Sequence, residues 1–310
     1  MTEPRVALLP AGLPILEQAI ADGGGAVSAV AEANALVWTD PRDPEALRDA
    51  LNGSDIAWVQ LPFAGIEAFV AAGVVDGART WTCTKGVYGR TTAEHALALM
   101  LAAARRIHVH SRAREWEGFD DPFARPERSL EGARVLLIGT GGIGSALVAM
   151  LGPLGVAVTA VNRSGRPLDG AESTHPVDDL PRLLPGADFV VLAAALTEST
   201  RGLIDGRAFT LMQPGAWLVN VARGPLVDTD ALVRALRDES IGGAALDVTD
   251  PEPLPPGHPL WELPNALITP HVANTWSMAV PELAAMVRRN VERFSAGEPL
   301  EGVVDPALGY

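Results

Sequence analysis

The sequence predicts an α/β protein built as two doubly wound parallel-sheet domains. Short apolar runs alternate with helix-periodic stretches along the whole chain, the pattern of βαβ units. A length of 310 residues suits two separate cores. A glycine turn at Gly139–Gly144, near mid-chain, joins an apolar run to an apolar helix and opens a second strand-helix series.

In the first series, strands are predicted at Val6–Leu9, Leu36–Trp38, Ile56–Gln60 and Thr80–Cys83. Helices fall between them near Pro14–Ala21, Pro44–Leu51 and Ile66–Ala72. A long helix rich in Ala and Leu follows over roughly Thr91–His110, and Arg114–Ser129 reads as irregular. The second series places strands at Arg134–Ile138, Ala157–Val161, Phe189–Ala193, Trp217–Asn220, Gly243–Leu246 and Ala266–Ile268. Its helices lie near Gly142–Leu151, Asp178–Leu184, Arg207–Met212 and Thr229–Arg237. A last helix, Met278–Ser295, carries Leu283, Met286, Val287, Val291 and Phe294 at helical spacing.

Composition excludes several classes of function. The net charge of −14 argues against a nucleic-acid partner, which needs clustered Lys and Arg. The N-terminus runs into an apolar stretch too short for a signal-peptide core, and no apolar segment approaches a membrane span. The single cysteine, Cys83, excludes an internal disulfide framework and reads as a small core residue. A cytoplasmic protein is the expectation.

Gly139-Thr-Gly141-Gly142-Ile143-Gly144 follows the predicted strand ending at Ile138 and opens a helix. That context reads as a dinucleotide site. Gly139 serves the tight turn, Gly141 the approach of a pyrophosphate, and Gly144 the packing of helix on strand. The amides that open the helix face the phosphates. The next strand ends in Asn162-Arg163-Ser164-Gly165-Arg166, with no Asp or Glu at its end for the ribose hydroxyls. Arg163 and Arg166, with Ser164 as a further donor, suit a 2′-phosphate and point to NADP(H) over NAD(H). The competing reading is that Arg163 stacks on the adenine and either cofactor is accepted.

Three further motifs follow in order: Asn220-Val221-Ala222-Arg223-Gly224, Leu246-Asp247 through Glu252 to Pro255, and Ile268-Thr-Pro-His271-Val-Ala-Asn-Thr275. They supply an arginine, a carboxylate and a histidine. Arg is shaped for bidentate contact with a carboxylate. His is the natural proton donor near neutrality, and a neighbouring carboxylate raises its pKa. Arg223 sits after a strand with Gly224 allowing a bend, Glu252 in a proline-flanked loop, and His271 just past a strand, all at carboxyl ends where α/β sheets bind ligands. The set suits a 2-oxo acid or the matching 2-hydroxy acid.

With these motifs in this order the chain resembles the D-isomer-specific 2-hydroxyacid dehydrogenase family, over nearly its whole length and most densely from Ser129 to Thr275. The resemblance implies a Rossmann dinucleotide-binding domain over 101–283 and a smaller flavodoxin-like substrate domain from 1–100 and 284–310, with the substrate held between them. It implies His271 as acid/base, Glu252 as its partner and Arg223 as substrate anchor. Asp247 would lie near the nicotinamide carboxamide and influence His271. Ala194, Thr200 and Val221 join Ile143 in the implied cofactor contacts. Amides of the loop at Ala64, Gly65 and Ile66 would grip the substrate carboxylate, and Trp276 stands where the family keeps small residues and would either narrow the cleft or close over the substrate. Ala194-Ala195-Leu196-Thr197 departs from the family, which commonly has Pro before Leu-Thr. A homodimer is implied, with Trp116 and Phe119 read either as its contact or as intrachain packing.

No metal is expected, because there is no Cys cluster and no His-Glu-x-x-His, and His108 and His110 do not share a helix face. His95 reads as capping or packing the start of its helix. Formate- and phosphite-type dehydrogenases share the fold; formate oxidation needs no acid/base, so Glu252 argues against formate, and less against phosphite. A dinucleotide-sensing, co-repressor-like protein is the alternative from another class.

Overall fold

A computed structural model describes residues 3–114 and 127–306; Trp116 and Phe119 lie outside them. The chain divides into two compact units, Met1–Tyr88 with Thr275–Tyr310, and Gly89–Asn274. The first unit opens with β1 (Arg5–Leu9), α1 (Pro14–Asp22), β2 (Ala26–Val27), β3 (Ala35–Trp38), α2 (Pro44–Leu51), β4 (Trp58–Gln60), α3 (Glu67–Ala71) and β5 (Thr80–Thr82). The second unit continues with α4 (Gly89–Ala104), α5 (Ile107–His110), β6 (Arg134–Ile138), α6 (Gly142–Leu151), β7 (Ala157–Asn162), β8 (Ser173–Pro176), α7 (Leu180–Leu183) and β9 (Phe189–Leu192). It is completed by α8 (Gly206–Leu211), β10 (Trp217–Asn220), α9 (Thr229–Arg237), β11 (Gly243–Leu246) and β12 (Ala266–Ile268). The chain then returns to the first unit in α10 (Trp276–Ala296).

Both sheets are parallel throughout. The first has the order β2-β1-β3-β4-β5, the flavodoxin-like arrangement. The second runs β12-β11-β10-β9-β6-β7-β8, the Rossmann order with one more strand. The expected α/β class with two doubly wound sheets is therefore what the chain adopts.

The inner strands are largely apolar without alternation because both faces of each sheet are covered. In β6, Val135 and Leu137 join one core and Leu136 and Ile138 the other. In the first unit, Leu36 and Trp38 pack with α2 and α3, while Ala35 and Val37 pack with α1 and α10. Cys83 is fully buried, and burial pushes its thiol pKa up, away from nucleophilic use.

Several elements differ from expectation. The unit boundaries fall at Tyr88/Gly89 and Asn274/Thr275, not at 100/101 and 283/284. The helix α4 sits against α6, where a Cβ on Gly89 would meet the Gly142 backbone at 2.5 Å, so α4 belongs wholly to the second unit. The long helix breaks into α4 and α5 at Arg106, whose φ of 50° is left-handed. Strand β2, two residues long, and strand β8, Ser-Thr-His-Pro, give no strand signal in the sequence; both are edge strands. No helix of the described residues is long and apolar enough to cross a membrane.

Candidate active site

Strand register in the second unit aligns Val161 with Ile138, Ile138 with Leu192, Leu192 with Asn220, Asn220 with Leu246 and Leu246 with Ile268. The strands therefore end level. Asn162, Gly139, Ala193, Val221, Asp247 and Thr269 all reach one edge of the sheet, the carboxyl edge. The order reverses between β6 and β9, so Gly139 and Ala194 flank the topological switch point.

At that point Gly139 has φ +107°, and a Cβ there would meet the Ala193 backbone at 2.5 Å. A Cβ on Gly144 would stand 2.2 Å from the Gly139 carbonyl oxygen, so turn and helix can be this close only with glycine at both positions. A Cβ on Gly141 would meet nothing within 4 Å. Asp43, Asp205 and Asp228 close the N-termini of α2, α8 and α9 with side-chain oxygens. The N-terminus of α6 at Gly141 has no side-chain cap, and its first amides, including those of Gly142 and Ile143, remain for an anion. These residues fit the pyrophosphate of a dinucleotide.

At the end of β7 the side chain of Asn162 shapes the segment carrying Arg163, Ser164 and Arg166, all three exposed. On the other side of the switch point, the Thr200 hydroxyl accepts from the Thr197 amide at 2.8 Å and donates to the Ala195 carbonyl at 2.8 Å. These two bonds close the loop that follows Ala194. Val221 is buried at the end of β10, its amide bonded to the Leu192 carbonyl.

Arg223 is held by a residue the sequence reading passed over. The buried Asn220 accepts from the Ala222 amide at 3.0 Å and donates to the Arg223 carbonyl at 2.9 Å, closing the turn between them. Asn before a post-strand turn is a signal that could have shown this. Gly224 is needed for close approach, not for a bend. Its φ is not positive, yet a Cβ would lie 1.9 Å from the Thr249 carbonyl oxygen. The Arg223 turn thus rests directly on the backbone leading to Glu252. That loop holds cis peptides at Asp250–Pro251 and Glu252–Pro253.

His271 Nδ1 lies 2.6 Å from Glu252 Oε1, both side chains about half exposed. The Glu252 hydrogen bond, against the opposing effects of desolvation and Arg223, raises the His271 pKa above its ordinary value. The same bond, its first cause, holds the Glu252 pKa low. His271 has φ 53°, and its amide donates to the carbonyls of Asp247 at 2.8 Å and Thr269 at 3.0 Å, which fix that unusual backbone.

Asp247 organises this loop. It is 2% exposed. Its Oδ1 accepts from Thr269 Oγ1 at 2.6 Å and the Val272 amide at 2.9 Å, and its Oδ2 from the Ala273 amide at 3.0 Å. Burial alone would raise its pKa, but hydrogen bonds from His95, Thr269 and the two amides outweigh it and hold the pKa low. His95 Nε2 lies 3.0 Å from Thr269 Oγ1 and 3.3 Å from Asp247 Oδ1. His95 therefore does more than pack its helix, and nothing in sequence announces a contact across 174 residues.

In the first unit, Ala64, Gly65 and Ile66 form the loop after β4 that leads into α3. Ala64 is exposed, whereas Ile66 is buried in the core. Trp276 opens α10 with its ring 5.5 Å from Phe63, which lies 5.9 Å from Tyr88. Among the described residues, no group of three or more His, Cys, Asp or Glu side chains is placed to hold a metal ion.

Residues 97–273 match the family described as D-isomer specific 2-hydroxyacid dehydrogenase, NAD binding domain. An uncharacterized protein of Corynebacterium melassecola is 42% identical over 259 residues, covering 83% of this chain and 84% of its own. A glyoxylate reductase of Thermofilum pendens is 35% identical over 231 residues, covering 73% of this chain and 67% of its own. Among solved structures, a D-isomer specific 2-hydroxyacid dehydrogenase from Xanthobacter autotrophicus Py2, in complex with NADPH and MES, matches with a TM-score of 0.85. It is 29% identical, and the match covers 100% of both chains.

Proposed function

The chain belongs to the D-isomer-specific 2-hydroxyacid dehydrogenase family and is an NAD(P)-dependent enzyme of it; from that premise we propose that it reduces a small 2-oxo acid to the D-2-hydroxy acid. The observation that carries this reading is the 2.6 Å contact between His271 Nδ1 and Glu252 Oε1. With Nδ1 tied to the carboxylate, His271 presents Nε2 as the proton donor, and the Glu252 hydrogen bond raises its pKa and so favours the imidazolium. The nicotinamide, when bound, supplies the hydride that C2 of the acid accepts. As the carbonyl π bond opens, His271 gives its proton to the oxygen, and the Glu252 carboxylate steadies the ring. Arg223, close enough to influence the titration of both His271 and Glu252, anchors the substrate carboxylate.

The cofactor is NADPH in preference to NADH. Support comes from Arg163, Ser164 and Arg166 on one short turn and from the absence of an acid at the end of β7. The chain is further read as a cytoplasmic homodimer, on its family and its single buried cysteine.

The test follows the absorbance of reduced nicotinamide with NADPH and NADH in parallel, against glyoxylate, hydroxypyruvate, pyruvate and bulkier 2-oxo acids. Turnover with NADPH preferred is the expected result, and Arg163→Ala should weaken NADPH selectively. Equal losses for both cofactors would favour stacking of Arg163 on the adenine. Silence on every acid with cofactor bound would overturn the substrate reading.

A further inference from the structure

The Asn162 side chain is saturated by hydrogen bonds within the protein. Its Oδ1 accepts from the Ser164 amide at 3.1 Å, the Arg166 amide at 3.2 Å and, at 3.5 Å, the Ser164 hydroxyl. Its Nδ2 donates to the Arg166 carbonyl at 2.8 Å and to Thr140 Oγ1 at 3.1 Å. An amide has two donor hydrogens and two acceptor lone pairs, and here all are used. Asn162 therefore has nothing to offer a ribose hydroxyl, although it stands where such a reader is sought. Its role is geometric. It closes the turn through Gly165, whose φ of +71° makes the reversal, and ties that turn to the glycine loop through Thr140.

We propose that Asn162 is a positioning residue for 2′-phosphate selectivity, locking the turn that carries Arg163, Ser164 and Arg166 onto the glycine loop at Thr140. This rests on the NADP(H) reading given above. Arg166 is held at both its amide and its carbonyl, so its guanidinium starts from a fixed backbone. Without the amide, an exposed turn bearing two arginines would have to be ordered by the ligand, and that entropy cost would fall on binding. Aspartate at this position would keep the two acceptors. It would lose both donors to Thr140 and Arg166, and would place a negative charge beside an incoming phosphate.

The experiment titrates the full-length protein with 2′,5′-ADP and with 5′-AMP by calorimetry, so that neither catalysis nor substrate enters. The wild-type chain should bind 2′,5′-ADP more tightly by at least about tenfold. Asn162→Ala should cut that ratio by about tenfold while 5′-AMP affinity moves less than about threefold, and Asn162→Asp should cut it further. Thr140→Val, which removes only the tie to the glycine loop, should cut it by about threefold and serves if Asn162→Ala does not fold. A selective wild type whose ratio survives in the folded Asn162 variants overturns this inference and leaves the cofactor reading standing. Where Asn162→Ala does not fold, an unchanged ratio in Thr140→Val overturns it equally. Parallel losses of both ligands would show a merely structural role. A wild type indifferent to the 2′-phosphate overturns the cofactor reading itself, and this inference with it.

Discussion

Gly224→Ala isolates the contact that joins two halves of the proposed chemistry. The new methyl would stand 1.9 Å from the Thr249 carbonyl oxygen and 2.1 Å from its carbon. Ordinary contact begins at about 3.5 Å, so the two backbones must part by roughly 1.5 Å. Neither neighbour can yield freely. Gly224 lies between buried Ala222 and Leu226, and Thr249 leads into the proline-flanked loop of Glu252. The displacement therefore passes to Arg223 on one side and Glu252 on the other. Overpacking of this kind costs about 1–3 kcal/mol of stability. A misplacement near 1 Å costs on the order of 10²-fold in rate. Steady-state kinetics on glyoxylate and hydroxypyruvate with NADPH should show kcat/KM lowered by about 100-fold. NADPH affinity, read by protein fluorescence, should move less than about threefold, since the glycine turn is untouched. Wild-type kcat/KM at unchanged Tm would refute the reasoning, because it would mean that the turn and the loop do not brace one another.

His271→Ala should lower turnover by about 10²–10⁴-fold with NADPH binding intact, and activity near wild type would remove His271 from the role of acid. Glu252→Gln tests the cause of the His271 shift. Reduction needs the imidazolium, so the wild-type rate should hold above the ordinary histidine value of about 6.5 and fall as pH rises through the raised one. The variant should bring that fall to lower pH; an unmoved profile of kcat/KM would assign the shift elsewhere. In stability, the wild-type His271 contribution is complete below the unfolded histidine pKa and lost as pH rises through the folded one. The Glu252 contribution is present above the unfolded carboxylate pKa and lost as pH falls through its depressed folded value. Asp247→Asn sets an amide against donors that now meet a carboxylate, costing about 1–3 kcal/mol. Thermal melts should show roughly 2–4 °C lost per kcal/mol, and an unchanged Tm would deny Asp247 its hold on the His271 loop.

The alternation of apolar runs and helical stretches was enough to read two parallel sheets, because strands buried on both faces must be apolar at every position. The edge strands β2 and β8 escaped, β2 because it is two residues long and β8 because an edge needs little apolar content. The break at Arg106 escaped because a left-handed residue in an arginine pair leaves no compositional mark.

At the site, residue types and spacing determined which side chains are proposed to carry the chemistry: the glycine turn, Arg223, Glu252 and His271 are each legible within a few residues of their own strand. What only the tertiary structure decided is how they are held. The Asp247 carboxylate gathers His95, Thr269 and the amides beyond His271, and Gly224 lies against Thr249 at a distance no side chain permits. Asn162 joins one turn to another. The reason is physical. A strand, a turn or a glycine preference is set by neighbours along the chain. A hydrogen bond between positions 95 and 269 exists only after β12 has paired with β11 and α4 has packed on the same sheet.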